Sequence, residues 1–189
     1  MDTWQDIARF GKKIISAGLT SSRFGNISFK LGNKIVITST GSMLDELDQS
    51  KIIEVDLKGP CAQDVIASTE TCVHRAIYLN TSFLAVIHTH SPYAVALSLI
   101  EPDAVEPIDG EGLQFLGSMP IVSGEFGTDL LASNVSSALK THRASIARGH
   151  GVFATGESLV EAYISACMAE HSSQIIYLTK IMNYINRKS

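Results

Sequence analysis

The chain has 189 residues, of which 45% are hydrophobic and 18% charged, and its formal net charge is −4. Those values fit one globular domain over 1–189 that buries roughly 70% of its unfolded surface. No dense Lys/Arg run offers a surface for a nucleic-acid backbone, and no apolar run reaches the roughly 18 residues that cross a membrane. The cysteines are Cys61, Cys72 and Cys167. Their odd number, with no C-x-x-C pair, suits a reducing compartment rather than a disulfide framework. The opening MDTWQDIARFGKK has no apolar core of a secretory leader, so the expected location is cytoplasmic.

Asp2 or Thr3 is placed to cap a first helix, with Trp4, Ile7, Ala8, Ile14 and Ile15 on its apolar side and Gly18 as its stop. Gly25-Asn26-Ile27-Ser28 combines a turn with the start of an alternating strand. A hairpin turn at Gly32-Asn33 leads into Lys34 to Thr38. The loop Ser39-Thr40-Gly41-Ser42 follows, then a helical turn over 44–47 and a strand over 51–56. Ser68 or Thr69 is expected to cap a helix from Glu70 to about Leu79. Phe83 to His90 reads as a short buried strand whose ladder Pro92 stops. A short helix over 94–99, an irregular acidic stretch over 101–117 and a strand over 119–123 come next. Thr128 caps a helix through Leu139. Strands over 144–149 and 152–155 flank His150-Gly151, and a last helix runs from Ser158 to about Asn183 at a 3.6-residue period. Strands framed by helices predict an α/β class: layers in the order α/β/α around a central, mostly antiparallel sheet.

The chemistry concentrates at His88-Thr89-His90. On a strand, side chains two apart share a face, so these imidazoles stand roughly 6–7 Å apart at the backbone. They are either hydrogen-bonded core histidines or two ligands of one metal ion. His150, between Gly149 and Gly151, is a turn histidine or a third ligand. Glu70 is a helix-start carboxylate or a reacting group. His74 is expected on the helix surface or behind the site, and His142 and His171 as ordinary surface residues.

In order, the motifs read G-N-x-S, S-T-G, S-T-E, H-T-H and G-H-G, over Gly25 to Gly151. This pattern resembles the class II aldolase/adducin family, and within it the fuculose-phosphate aldolase type. The resemblance implies one zinc ion per subunit, held by His88, His90 and His150, with Glu70 as acid/base. It also implies a substrate phosphate held by Asn26, Thr40, Gly41, Ser68 and Thr69. Backbone N–H groups, hydroxyls and a helix N-terminus can cradle an anion without net positive charge. The implied reaction is reversible cleavage of a ketose 1-phosphate to dihydroxyacetone phosphate and an aldehyde, with zinc as the Lewis acid for an enediolate. The implied assembly is a cyclic homotetramer with sites between subunits.

One departure is visible. Fuculose-phosphate aldolases carry a proton-donating tyrosine after the H-T-H helix, whereas Glu106 to Gly112 contains none. Asp109, Glu111, Tyr177 and Tyr184 are the candidates to replace it. Pentulose-phosphate epimerases, methylthioribulose-phosphate dehydratases, sugar-acid decarboxylases and the non-enzymatic adducin head share the scaffold. Outside the family, a zinc hydrolase is the remaining reading, although no H-E-x-x-H is present.

Overall fold

The structure, a computed structural model, describes residues 3–188. Helix α1 (Trp4–Ser16) opens the chain on a capping box, in which Thr3 accepts from the Asp6 N–H and Asp6 returns the bond. Asp2, the other candidate cap, lies outside the described residues. Then follow β1 (Asn26–Leu31), β2 (Lys34–Thr38), β3 (Ile52–Asp56), α2 (Thr71–Asn80), β4 (Ala85–Thr89), α3 (Pro92–Ser98) and β5 (Ala104–Val105). The chain closes with β6 (Met119–Val122), α4 (Asp129–Ala138), β7 (Ala144–Ala147), β8 (Gly151–Gly156) and α5 (Leu159–Asn186).

These strands make one eight-stranded sheet in the order β3-β2-β1-β4-β8-β7-β6-β5. Only β6 and β7 run parallel; the other neighbours are antiparallel. Strand alternation sorts the core into two layers. Ile27, Phe29, Ile87, Val152 and Ala154 meet α1, α3 and α5 on one face. Ile35, Ile37, Val86 and Phe153 meet α2 and α4 on the other. The expected α/β/α layering is therefore the observed one. It also explains why β4 and β8 are buried at every position. A central strand covered on both faces reads as a continuous apolar run.

Several boundaries differ from the sequence reading. The second helix starts at Thr71, not Glu70, and neither Ser68 nor Thr69 caps it; Glu70 is its N-terminal flanking residue. The Glu70 carboxylate is held by a side chain from β1 and does not bond its own helix. Strand β4 begins at Ala85, and Leu84 is exposed. Pro92 is the first residue of α3, which therefore starts two residues before the expected position, because proline's fixed φ suits the first turn of a helix. The acidic stretch after α3 is not irregular throughout: it holds β5 and a π-helical turn over Gly112–Leu116. Of the two places expected for His74, the helix surface and behind the site, it takes the second: it is fully buried and bonded to Asn26.

Candidate active site

Strand pairing assembles the site. In the β1/β4 register Asn26 lies opposite His88, and β8 pairs His88 with Phe153. Gly25 enables this approach: its φ is +84°, and a Cβ there would sit 2.5 Å from the His88 carbonyl oxygen. Gly151 does the same across the sheet, since a Cβ would lie 2.3 Å from the Thr89 carbonyl and 2.9 Å from the His88 ring. His150 occupies the turn between β7 and β8. That turn is pinned from both sides. The Arg148 guanidinium donates to the carbonyls of Ser98 (2.5 Å), Glu101 (3.0 Å) and Pro102, and the Gly149 N–H donates to the Ser98 hydroxyl at 2.9 Å.

The three histidines come together. Ring centroids lie 5.0 Å apart for His88 and His90, 4.8 Å for His88 and His150, and 4.8 Å for His90 and His150. One nitrogen from each falls within 4.8 Å of the others. His88 is wholly buried, stacked on Phe153 at 4.1 Å, and its Nδ1–H donates to the Val152 carbonyl at 2.9 Å. A carbonyl only accepts, so the proton is on Nδ1 and Nε2 presents a bare lone pair. That nitrogen is buried without a hydrogen-bond partner, as is Nδ1 of His150.

Glu70 closes the fourth side. Its Oε2 accepts from Asn26 Nδ2 at 3.0 Å and faces His88 Nε2 at 3.1 Å; its Oε1, also buried, has no hydrogen-bond partner and lies 3.8 Å from His150 Nε2. Burial, with the neighbouring imidazoles, pushes His88 well below the usual histidine value and His90 down to about 4. The His88 and His90 rings are thus uncharged, and the bare Nε2 of His88 points at a carboxylate oxygen with no proton between them. Three imidazoles whose nitrogens gather this closely, two of them with an unpartnered buried nitrogen and beside an unpartnered carboxylate oxygen, form a donor set that suits a divalent cation.

A cavity of about 410 Å³ opens beside this cluster. Asn26, Thr40, Gly41, Ser68 and Thr69 line it together with Glu70. An isolated bridge between Ser39 and Ala67 holds the two hydroxyl-rich loops side by side. Asn26 is less free than its neighbours, because its amide is bonded to Glu70 and to His74. Arg23 and Phe126 are among the lining residues that the sequence reading did not assign to the site. Arg23 is the only Lys or Arg among the described residues that line the cavity; its signal was a lone cation in a loop of small residues. Phe126 stands 6.1 Å from His150 and is largely exposed; its signal was an aromatic set between Gly124 and Gly127 in a loop.

Residues 5–177 match the family described as the class II aldolase and adducin N-terminal domain. The chain belongs to the class II aldolase and adducin family. It is similar to the L-fuculose phosphate aldolase of Methanocaldococcus jannaschii, at 34% identity over 160 residues spanning 84% of this chain and 86% of that protein. It is also similar to the 3-oxo-tetronate 4-phosphate decarboxylase of Haemophilus influenzae, at 27% identity over 178 residues, 90% of this chain and 85% of that one. Among solved structures, the L-fuculose-1-phosphate aldolase of Thermus thermophilus superposes with a TM-score of 0.90 at 33% identity, covering 95% of both chains. Members of the class II aldolase family are metal-dependent, and the donor set described above suits a metal ion. None of the candidates for the family's missing tyrosine lines the cavity within one chain. Asp109 accepts from the Gly112 N–H at 2.8 Å, Tyr177 packs on Tyr93 with ring centroids 5.3 Å apart, and Tyr184 is exposed near the end of α5. No helix among the described residues is long and apolar enough to cross a membrane.

Proposed function

We propose that the protein is a zinc-dependent aldolase that reversibly cleaves a ketose 1-phosphate, of the L-fuculose 1-phosphate type, into dihydroxyacetone phosphate and an aldehyde. The observation that carries this is the convergence of His88, His90 and His150 beside a buried carboxylate, with one oxygen tied and the other unpartnered, at the edge of a hydroxyl-lined cavity. His88, His90 and His150 hold the cation, which supplies Lewis-acid polarisation of the substrate's carbonyl when bound.

The chain's own residues do the rest. Thr40, Gly41, Ser68 and Thr69 hold the phosphate, while Asn26 borders it and steadies Glu70. That grip fixes the sugar's orientation at a distance from the reacting bond. In the cleavage direction Glu70 Oε1 takes up the hydroxyl proton as that hydroxyl's carbon becomes the aldehyde. The electron pair of the breaking C–C bond passes toward the ketone oxygen. Glu70 Oε1 then delivers a proton to the carbon left behind, and removes it in the reverse direction.

A second reading has support from the decarboxylase relative. Loss of carbon dioxide from a 3-oxo acid phosphate breaks a C–C bond at the same position relative to a carbonyl, so the same residues would serve. Incubation of the metal-loaded protein with dihydroxyacetone phosphate and small aldehydes separates the two. A new ketose phosphate supports the aldolase. Carbon dioxide release from 3-oxo-tetronate 4-phosphate, with no condensation product, replaces it by the decarboxylase. Metal analysis of the purified protein tests zinc directly.

The protein is also proposed to work as a homotetramer with sites at subunit interfaces. Two facts favour this: no proton-donor candidate reaches the cavity from its own chain, and Leu113, Phe115, Leu178 and Met182 are large exposed apolar side chains. A monomeric mass in solution under assay conditions overturns it.

A further inference from the structure

Behind Glu70 lies a row of buried polar groups of which the reaction above uses only Asn26. On β1, Asn26 and Ser28 are two residues apart and share the face turned to α2. Glu70, His74 and Tyr78 are spaced by four at the start of and along α2, so they share one helix face. Two strand residues advance roughly 6.8 Å and four helical residues roughly 6 Å, so the two rows can interleave. They do: Asn26 sits between Glu70 and His74, and Ser28 between His74 and Tyr78.

Donor and acceptor roles follow from one end. The Asn26 group facing the Glu70 carboxylate at 3.0 Å is the amide Nδ2–H, so its Oδ1 faces His74 Nε2 at 2.5 Å. An amide oxygen only accepts, so His74 is protonated on Nε2. Burial holds His74 down at about 3, so the ring is uncharged and its Nδ1 is bare. Nδ1 therefore accepts from the Ser28 hydroxyl at 2.6 Å, and Ser28, its proton spent, accepts from Tyr78 at 2.7 Å. All four links are oriented one way and end on Glu70 Oε2. Residues at 0–6% exposure supply every member, so no water competes for these bonds.

We propose that His74 is the positioning residue of the reaction: it locks the orientation of the Asn26 amide and thereby keeps Oε2 of Glu70 engaged and Oε1 directed at the reacting carbon. His74 touches neither the cavity nor the metal ligands' nitrogens; it acts through Asn26. The inference rests on Glu70 being the acid/base. Freed from His74, the Asn26 amide can turn over and present its oxygen to a carboxylate, which repels it. Glu70 then loses its fixed rotamer, and a misplacement of about 1 Å costs on the order of 100-fold in rate.

The test uses three variants and one spectrum. His74→Phe keeps the ring volume and removes both nitrogens; His74→Gln keeps a donor that reaches Asn26. We expect His74→Phe to lower kcat by roughly 10- to 100-fold, with KM for the sugar phosphate and the bound-metal stoichiometry near wild type. His74→Gln is expected to recover most of that loss. In wild-type protein labelled with nitrogen-15 histidine, with or without metal, the His74 ring should report the Nε2–H tautomer at neutral pH. An Nδ1–H tautomer or a charged His74 ring overturns the inference, and so does a folded His74→Phe with wild-type kcat. Glu70→Gln separates the two claims. If that variant turns over normally, the acid/base reading fails; if it is inactive while His74→Phe is unimpaired, only the positioning role fails.

Discussion

Glu70→Gln is expected to make the metal-free protein more stable while removing its activity. The carboxylate is 4% exposed, its Oε1 has no partner, and its Oε2 faces the bare Nε2 of His88 at 3.1 Å. A buried acceptor left unsatisfied costs about 1–3 kcal/mol, and here acceptors face one another. Glutamine keeps the shape, lets its amide oxygen accept from Asn26, removes the negative charge that faces the bare Nε2 of His88, and turns an N–H toward His150 Nε2, 3.8 Å from where Oε1 stood. Relief of about 1–3 kcal/mol corresponds to roughly 2–12 °C in Tm for a chain of this size. Adding metal reverses the comparison, because the carboxylate is then attracted to a dication. The Tm rise on loading should be smaller for the variant. Turnover falls by roughly 100- to 10,000-fold if Glu70 moves the proton. Calorimetry of both proteins, stripped by chelator and then reloaded, reads all of this. A metal-free variant less stable than wild type would refute the account of the site as a cluster of mutually unsatisfied acceptors.

Three further outcomes are expected. Arg23→Ala should raise KM for a phosphorylated substrate about tenfold, some 1.4 kcal/mol, and leave an unphosphorylated analogue unaffected; equal changes for both would remove Arg23 from phosphate recognition. Gly25→Ala forces a side chain into a φ of +84° and against the His88 carbonyl at 2.5 Å. The φ alone costs about 1–2 kcal/mol, so the urea midpoint should fall by at least that equivalent, and an unchanged midpoint contradicts the close β1/β4 approach. The metal-free protein should also lose stability in mild acid. His74, His88 and His90 all have folded values below the ordinary 6.5, so the unfolded chain takes up protons first as the pH falls. The stability they contribute is present above about 6.5 and lost below it, at about 1.4 kcal/mol per pH unit for His74 down to its folded value near 3. A urea midpoint flat between neutral pH and pH ~5 would contradict that linkage.

The sequence made local features legible and left pairings hidden. The i, i+2 spacing of His88 and His90 put both rings on one side of a strand, and the glycines around His150 marked a tight turn; each follows from backbone geometry alone. That the turn meets the strand end depends on β4 pairing with β8, some sixty residues later, and no periodicity encodes a register of that range. The helix after Ser68 was legible as a helix. Its first residue was not, because what turns the Glu70 carboxylate away from the helix end is a hydrogen bond from Asn26, forty-four positions earlier. His74 shows the same limit. A histidine between cysteine, valine and arginine on an amphipathic helix looks like a surface residue until the strand that buries it is known. The irregular reading of the acidic stretch failed for the opposite reason: β5 is two residues long and carries no alternation to detect.

Specificity and stability pull against each other at one end of the central strands, and the core shows how the chain tolerates it. His88 is held by a backbone carbonyl on one side and stacked on Phe153 on the other, and β4 and β8 are buried along their whole lengths. A backbone hydrogen bond therefore fixes the His88 imidazole, and the other two rings pack against it. Three of the unpartnered buried atoms among the described residues, His88 Nε2, His150 Nδ1 and Glu70 Oε1, belong to this cluster, where a cation and a substrate proton can use them. Were the same groups mounted on loops, their mutual repulsion would be relieved by movement, and the donor set would disperse. Anchoring them at or next to the ends of paired central strands stores that frustration until a ligand resolves it.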